Sequence, residues 1–197
     1  PEPDRAARAP HPRETGVLHG QARAEAAFLD AFNGGRLHHA WLISGPQGVG
    51  KATLAWRLAR FLLATPDGGG MFAPPAPATL DIPDAHPVAI RMRALSEPRL
   101  FLLRRGPTDK GSALSQVITV DDVRALERFL HLSAADGGRR AVIVDAADEL
   151  NASAANAILK MLEEPPARVC FLIVAHQPAR LLPTIRSRCR SLRLQRL

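Results

Sequence analysis

Apolar positions along this chain fall into two kinds of stretch that alternate. Between residues 20 and 35, Ala24, Ala27, Phe28 and Ala31 return at helical spacing, and Gly34-Gly35 closes the run. "HAWLIS" (39–44) is a short unbroken apolar run, which reads as a buried strand. "KATLAWRLARFLL" then sets Leu54, Ala55, Leu58, Phe61 and Leu62 on one helical face. Further on, "PVAIRMRALSE" reads as a short helix and "RLFLLRR" (99–105) as a strand. In "ITVDDVRALERFLHL" the expected buried face is Val123, Leu126, Phe129 and Leu130, with Asp121 as N-cap. "AADGGRR" (134–140) is a turn, and "AVIVDAADEL" (141–150) begins as a continuous apolar strand that ends in an acid. "ASAANAILKMLEE" is a helix with Ala155, Ile158, Leu159 and Leu162 inward, stopped by Pro165-Pro166. "RVCFLIVAH" (168–176) is another apolar strand, "PARLLPTIRSRC" a short helix and turn, and "RSLRLQRL" a strand-like tail. Strands that are apolar throughout, separated by amphipathic helices, predict an α/β fold of three layers: a mainly parallel sheet between helices.

Two stretches break this rhythm. Residues 1–18 are an irregular, proline-rich and charged start. Residues 64–87, "ATPDGGGMFAPPAPATLDIPDAHP", carry six prolines and three consecutive glycines, the composition of an irregular, mobile insertion. With 197 residues, the chain suits one substantial domain that buries its core without staples.

Composition narrows the classes. No apolar run reaches the ~18 residues of a membrane span, and no signal-peptide pattern stands at the N-terminus. Cys170 and Cys189 form no CxxC pair, which argues against a disulfide framework or a zinc site. These features predict a cytoplasmic protein with no membrane partner. The net charge of +7 invites a nucleic-acid reading. However, only Lys51, Lys110 and Lys160 among the 26 basic residues are lysines. Such an arginine bias points to GC-rich codon usage, and a solvated basic surface explains the charge at least as well.

Candidate chemistry begins at "GPQGVGKA" (45–52), a G-x-x-x-x-G-K loop between the first strand and its helix. Gly45, Gly48 and Gly50 let backbone N–H groups turn inward on a phosphate, while the helix N-terminus and Lys51 supply positive potential. The candidate nucleotide-binding residues are Gly45, Pro46, Gln47, Gly48, Val49, Gly50, Lys51, Ala52 and Thr53. The usual magnesium-binding hydroxyl is replaced by Ala52. Thr53 is one residue late, a rotation of about 100° on a helix. Asp145, at the end of "AVIVD", and Asp148 are the candidate acids of a Walker B-like site. The glutamate that would activate water is replaced by Ala146. Binding of ATP or ADP, with magnesium only alongside nucleotide, thus survives better than hydrolysis. A third feature is "TIRSRC" (184–189), where Arg186, Arg188 and Arg190 alternate. On an extended segment they project to one side, as surface charge or as an arginine finger for a neighbouring subunit's nucleotide. Cys189 reads as a small buried residue, and His38 and His39 as packing or hinge residues. Asn156 reads as a helix–loop hydrogen-bonding residue.

Together "HPRETGVLHGQ", "LHHAWLISGPQGVGKAT", "DGGRRAVIVDAADELNASAANAILKMLEEPP" and "RLLPTIRSRC" resemble the clamp-loader subunits of bacterial DNA polymerase III, a family of the AAA+ class of P-loop NTPases. The alanines at 52 and 146 fit its delta-prime branch better than the ATP-hydrolysing gamma/tau branch, in a form similar to alphaproteobacterial members. The resemblance implies a subunit of the DNA polymerase holoenzyme with no polymerase site of its own. It would act as a rigid stator in a ring with gamma/tau and delta subunits, and through them on the sliding clamp and primer–template DNA. It would carry the motif Ser187, Arg188, Cys189, with Arg188 as a finger in trans. Many members bear a four-cysteine zinc module where this chain has its cysteine-free insertion, so no zinc is expected. The resemblance further implies an AAA+ domain over 19–190, residues 191–197 as the start of a truncated lid, and an absent collar. Two alternatives stay open: an active gamma/tau-like motor, and a P-loop kinase acting on a small molecule. The kinase leaves "NAILKMLEEPP…TIRSRC" without explanation.

Overall fold

Every central strand sends alternate side chains to opposite faces, and both faces are buried. A computed structural model describes residues 9–66, 75–108, 113–132 and 137–196. Its strands are β1 (Ala40–Ser44), β2 (Leu100–Arg104), β3 (Arg140–Asp145), β4 (Val169–Ala175) and β5 (Arg190–Arg193). All four pairings are parallel, and the order across the sheet is β2-β3-β4-β1-β5. The expected three-layer α/β architecture is therefore observed.

One face packs Trp41, Ile43, Ile143, Leu172 and Val174 under α1 (Ala22–Asn33), α2 (Lys51–Ala64) and α3 (Pro87–Arg93). The other packs Leu42, Val142, Val144, Phe171 and Ile173 under α4 (Val120–His131), α5 (Ala152–Glu163) and α6 (Pro183–Ser187). Cys170 belongs to the first layer and Cys189 borders the second, so the sheet separates the two thiols. Among the described residues no helix is long and apolar enough to cross a membrane.

Several expected faces shift once the neighbours are present. α2 is buried from Leu54 to Leu63, not along one stripe. It lies against β1, β3, β4 and α3, and against a 3-10 turn at Pro12–Glu14. Its two arginines are buried because they find partners there. Arg57 binds Glu25 at 2.6 Å, Asp81 at 2.8 Å and the Gly16 carbonyl, and Arg60 donates to the Arg13 carbonyl at 2.7 Å. On α5 the buried set is Ala154, Ile158, Met161 and Leu162, whereas Ala155 and Leu159 sit at the border of the core. The alanine-rich first turn offers no size contrast from which to fix the face. On α4 Phe129 is half-buried and packs on Phe101, with ring centroids 5.3 Å apart. Thr119 caps that helix in place of Asp121, its hydroxyl accepting from Asp122 N while the Asp122 carboxylate accepts from Thr119 N. This reciprocal box satisfies two terminal N–H groups, which a single Asp121 cap would not.

Of the insertion, residues 67–74 lie outside the described residues, as do residues 1–8 of the N-terminal stretch and 134–136 of the expected turn. The described part holds Leu80, which is 3% exposed, and Asp81 on Arg57, so it is pinned against α2. The tail forms β5 in register with β1, Trp41 opposite Arg190 and Ser44 opposite Arg193, so the boundary drawn between 190 and 191 falls inside a strand.

Candidate functional site

β1 and β4 are neighbours whose following helices, α2 and α6, cover opposite faces of the sheet. A crevice opens at the carboxyl ends of such strands, where α/β folds of this kind bind ligands. Here it is a cleft of about 380 Å³, lined by Gln47, Gly48, Gly50, Lys51, Ala52 and Thr53 from the loop. Asp145, Ala146, Glu149 and His176 line it from the ends of β3 and β4, and Ala9, Pro10 and Pro12 from the N-terminal segment. The sequence-predicted loop and the first predicted acid thus meet in one place.

Local geometry explains the glycines. Gly45 has φ +152° and lies so close to Leu194 that a Cβ would stand 2.6 Å from the Leu194 carbonyl oxygen. Gly50, the N-cap of α2, has φ +90°, and Leu18 Cδ1 fills the place of its absent side chain, 2.4 Å from where a Cβ would lie. Gly48 has φ +82° with open space beside it. No side chain caps α2, so the N–H groups of its first turn face the cleft without a side-chain acceptor. Lys51 is 4% exposed, and its Nζ donates to the carbonyls of Gly45 at 2.8 Å and Pro46 at 2.6 Å. Burial lowers its pKa, against the opposing pull of the Asp145 and Asp148 carboxylates.

The acids divide in role. Asp145 is 8% exposed and ends β3 in the cleft. Asp148 sits in a 3-10 turn (Ala147–Glu149), where its carboxylate accepts from the backbone N–H groups of His176 and Gln177. It buttresses the turn after β4. Glu149 pairs with Arg105 at 2.8 Å, and Ala146 is buried beside Asp145. His176 has its pKa lowered, chiefly by burial and then by Lys51.

These residues fit the phosphates of a nucleotide: left-handed glycines, an uncapped helix start and a lysine whose present acceptors are loop carbonyls that a phosphate would replace. A bound nucleotide would supply those phosphates as ligands. Toward a hydrated magnesium ion Ala52 offers no hydroxyl, and of the two candidate acids Asp145 lines the cleft while Asp148 holds the turn after β4. Thr53 does line the cleft, but from the position one residue late. A second cavity of about 410 Å³ lies on the other side of the loop, lined by Val17, Leu18, His19, Val49 and Gln195 among others.

The third predicted feature lies elsewhere. Arg188 is the C-cap of α6 and precedes β5, at the amino edge of the sheet, whereas Gly45 follows β1 at the carboxyl edge. Arg186, Arg188 and Arg190 do not share one side, because Pro183–Ser187 is helical and only Arg190 is in a strand. Arg190 lies over the Trp41 ring at 5.2 Å, and Arg186 reaches the Pro178 carbonyl. The Thr184 carbonyl accepts from both the Ser187 hydroxyl and Arg188 Nη1, each at 3.0 Å. Arg188 Nη2 meets Glu163 Oε1 at 2.8 Å. Cys189 points into the core, and burial pushes its thiol up to about 12. His38 and His39 stack on each other at 4.4 Å and bond to the Ala40 and Leu162 carbonyls, a packing role. Asn151 caps α5, while Asn156 is exposed on it.

Sequence reasoning missed Leu18, His176 and Glu163. His176 carried a signal, as the first polar residue after an apolar strand that ends beside the loop. Leu18 and Glu163 carried none, since their partners stand far away in sequence.

A family model described as DNA polymerase III, delta subunit, matches residues 20–197. A DNA polymerase III subunit delta' of Pseudomonas aeruginosa is 38% identical over 158 residues, which cover 79% of this chain and 43% of that protein. The subunit delta' of Escherichia coli K12 is 36% identical over 164 residues, 83% of this chain and 44% of that one. The chain thus spans less than half the length of these curated relatives. A crystal structure of a DNA polymerase III gamma subunit-related protein from Thermotoga maritima matches with a TM-score of 0.51 at 20% identity, over 90% of this chain and 46% of that one, a likeness of fold.

Proposed function

The chain belongs to the DNA polymerase III delta-subunit family, on its delta' branch, and from that premise we propose that it serves as a clamp-loader stator in DNA replication. In this reading residues from 19 onward form an AAA+ domain that holds the phosphates of ATP or ADP at Gly45–Thr53 and hydrolyses neither. Its partners are the gamma/tau and delta subunits, and through them the sliding clamp and primer–template DNA. Arg188 is its contribution to catalysis, offered to the nucleotide of a neighbouring gamma/tau subunit.

One observation carries this reading: the separation of Arg188 from the chain's own cleft. Arg190 is in register with Trp41, four strand residues before Gly45. At about 3.3 Å per residue the backbone at Arg190 lies roughly 13 Å from the loop. Glu163, at the end of α5 that leads into β4, holds the Arg188 guanidinium at that same amino edge of the sheet. In this reading Arg188 does not serve its own nucleotide and takes part in hydrolysis between subunits. Ala52, Ala146 and the engaged Asp148 supply the complementary half, a cleft short of the hydroxyl, base and second acid that turnover uses.

Two measurements test the proposal. The purified chain with magnesium and ATP is expected to bind nucleotide without turning it over. Turnover that disappears in K51A would overturn the stator reading in favour of the motor. In the complete subunit reconstituted into the loader, R188A is expected to slow DNA-stimulated ATP hydrolysis while the complex still assembles.

A further inference from the structure

We infer that Glu163 is the positioning residue for Arg188, aiming its guanidinium outward from the end of α5. The inference rests on the finger reading above and adds to it a residue on a different element.

Each partner is fixed where it sits. Glu163 is the last residue of α5, whose neighbours Met161 and Leu162 are buried, and Pro165-Pro166 prevent the helix from continuing. Arg188 stands between Ile185, 1% exposed, and Cys189, both set into the same core layer. The side chain bridges the two elements, with Nη1 on the Thr184 carbonyl at 3.0 Å and Nη2 on Glu163 Oε1 at 2.8 Å. Those bonds use two of the five N–H donors of a guanidinium. The Arg188 side chain keeps 34% exposure and that of Glu163 43%, so the remaining donors are open to a partner.

Exposure also decides what the ion pair is for. A half-exposed pair adds little to stability, because water screens the attraction and two long side chains lose freedom. Its effect is directional. Without Glu163, Arg188 would keep one carbonyl contact and sample its other rotamers, and a misplaced catalytic group loses rate steeply. Thr184 O and Glu163 fix two points of a planar group and its covalent stem supplies the third, which together set its direction and its plane.

The test uses the complete subunit reconstituted into the loader, with steady-state ATP hydrolysis in the presence of DNA. Where an arginine finger operates it contributes about 10³–10⁵ in rate, so R188A should slow the reaction at least about tenfold. E163A should lower kcat about three- to tenfold with KM for ATP unchanged, the signature of an interaction used only in the transition state. E163Q should retain most of the rate, since its amide oxygen can accept the same bond. The double variant should be no slower than R188A, as for two residues acting as one unit. Full rate in E163A alongside a slow R188A would overturn the positioning role and leave the finger standing. Full rate in R188A would remove both. A slow E163A that also melts several degrees lower, or a double variant slower than R188A, would assign Glu163 a structural role instead.

Discussion

At the scale of single residues, burial rather than identity separates what acts from what supports. The thiols of Cys170 and Cys189 are both pushed up to about 12 by burial. At pH 8 the thiolate fraction of each is then about 10⁻⁴, against tens of per cent for a free cysteine. A thiol-reactive chromophore at pH 8 should therefore label the folded protein at least about 100-fold more slowly than the same protein in denaturant. Rapid native-state labelling that peptide mass assigns to Cys189 would show that the motif around it is not packed as described. Lys51, Asp145 and Arg188 were legible as candidates because each stands at a fixed place in a local pattern. Sequence alone could not show that Asp148 is held by the amides of His176 and Gln177, since those contacts join residues 28 and 29 positions apart. The same holds for Glu163 and Arg188, which only the packing of α5 on α6 brings together.

At the scale of elements, the glycine loop distinguishes two reasons for a glycine. Gly48 is required by its φ alone, with nothing within 4 Å of a would-be Cβ. G48A should cost about 1–2 kcal/mol, the cost of a left-handed alanine. Gly45 adds an obstacle that cannot rotate away, the backbone of Leu194. G45A should cost about 3 kcal/mol or more once the clash is added to the backbone strain. Urea midpoints of the two variants check the order, and equal midpoints would mean that β5 yields easily to the loop. The helices themselves were legible from periodicity, and most of their boundaries followed from Gly, Pro and caps. Their faces were less so. α2 hides Arg57 and Arg60, residues whose charge reads as surface until Glu25, Asp81 and the Gly16 and Arg13 carbonyls are seen around them. On α5 four alanines in the first half left the orientation open by one position.

At the scale of the whole molecule, the fold places the glycine loop and Arg188 on opposite edges of one sheet and ties them through β5. Arg188 stands two residues before that strand, and Leu194, the residue after its far end, donates its N–H to Ser44 O at 2.8 Å beside the glycine loop. Apolar strands between amphipathic helices were enough to predict this architecture, because a parallel sheet buried on both faces leaves little else for such a pattern to build. The strand order was not legible, since no local signal says that β1 lies between β4 and β5. The buried arginines of α2 bear on where the protein can be cut. The family model matches from residue 20 onward. A fragment trimmed to that residue would remove the Arg13 and Gly16 carbonyls from Arg60 and Arg57, and His11 from the edge of Trp56. Each unmet buried donor costs about 1–3 kcal/mol, so such a fragment should melt well below the whole chain, whereas trimming only residues 1–8 spares all three contacts. A calorimetric scan of the two fragments checks this: equal melting temperatures would mean that the segment before the family-model match adds nothing to the fold.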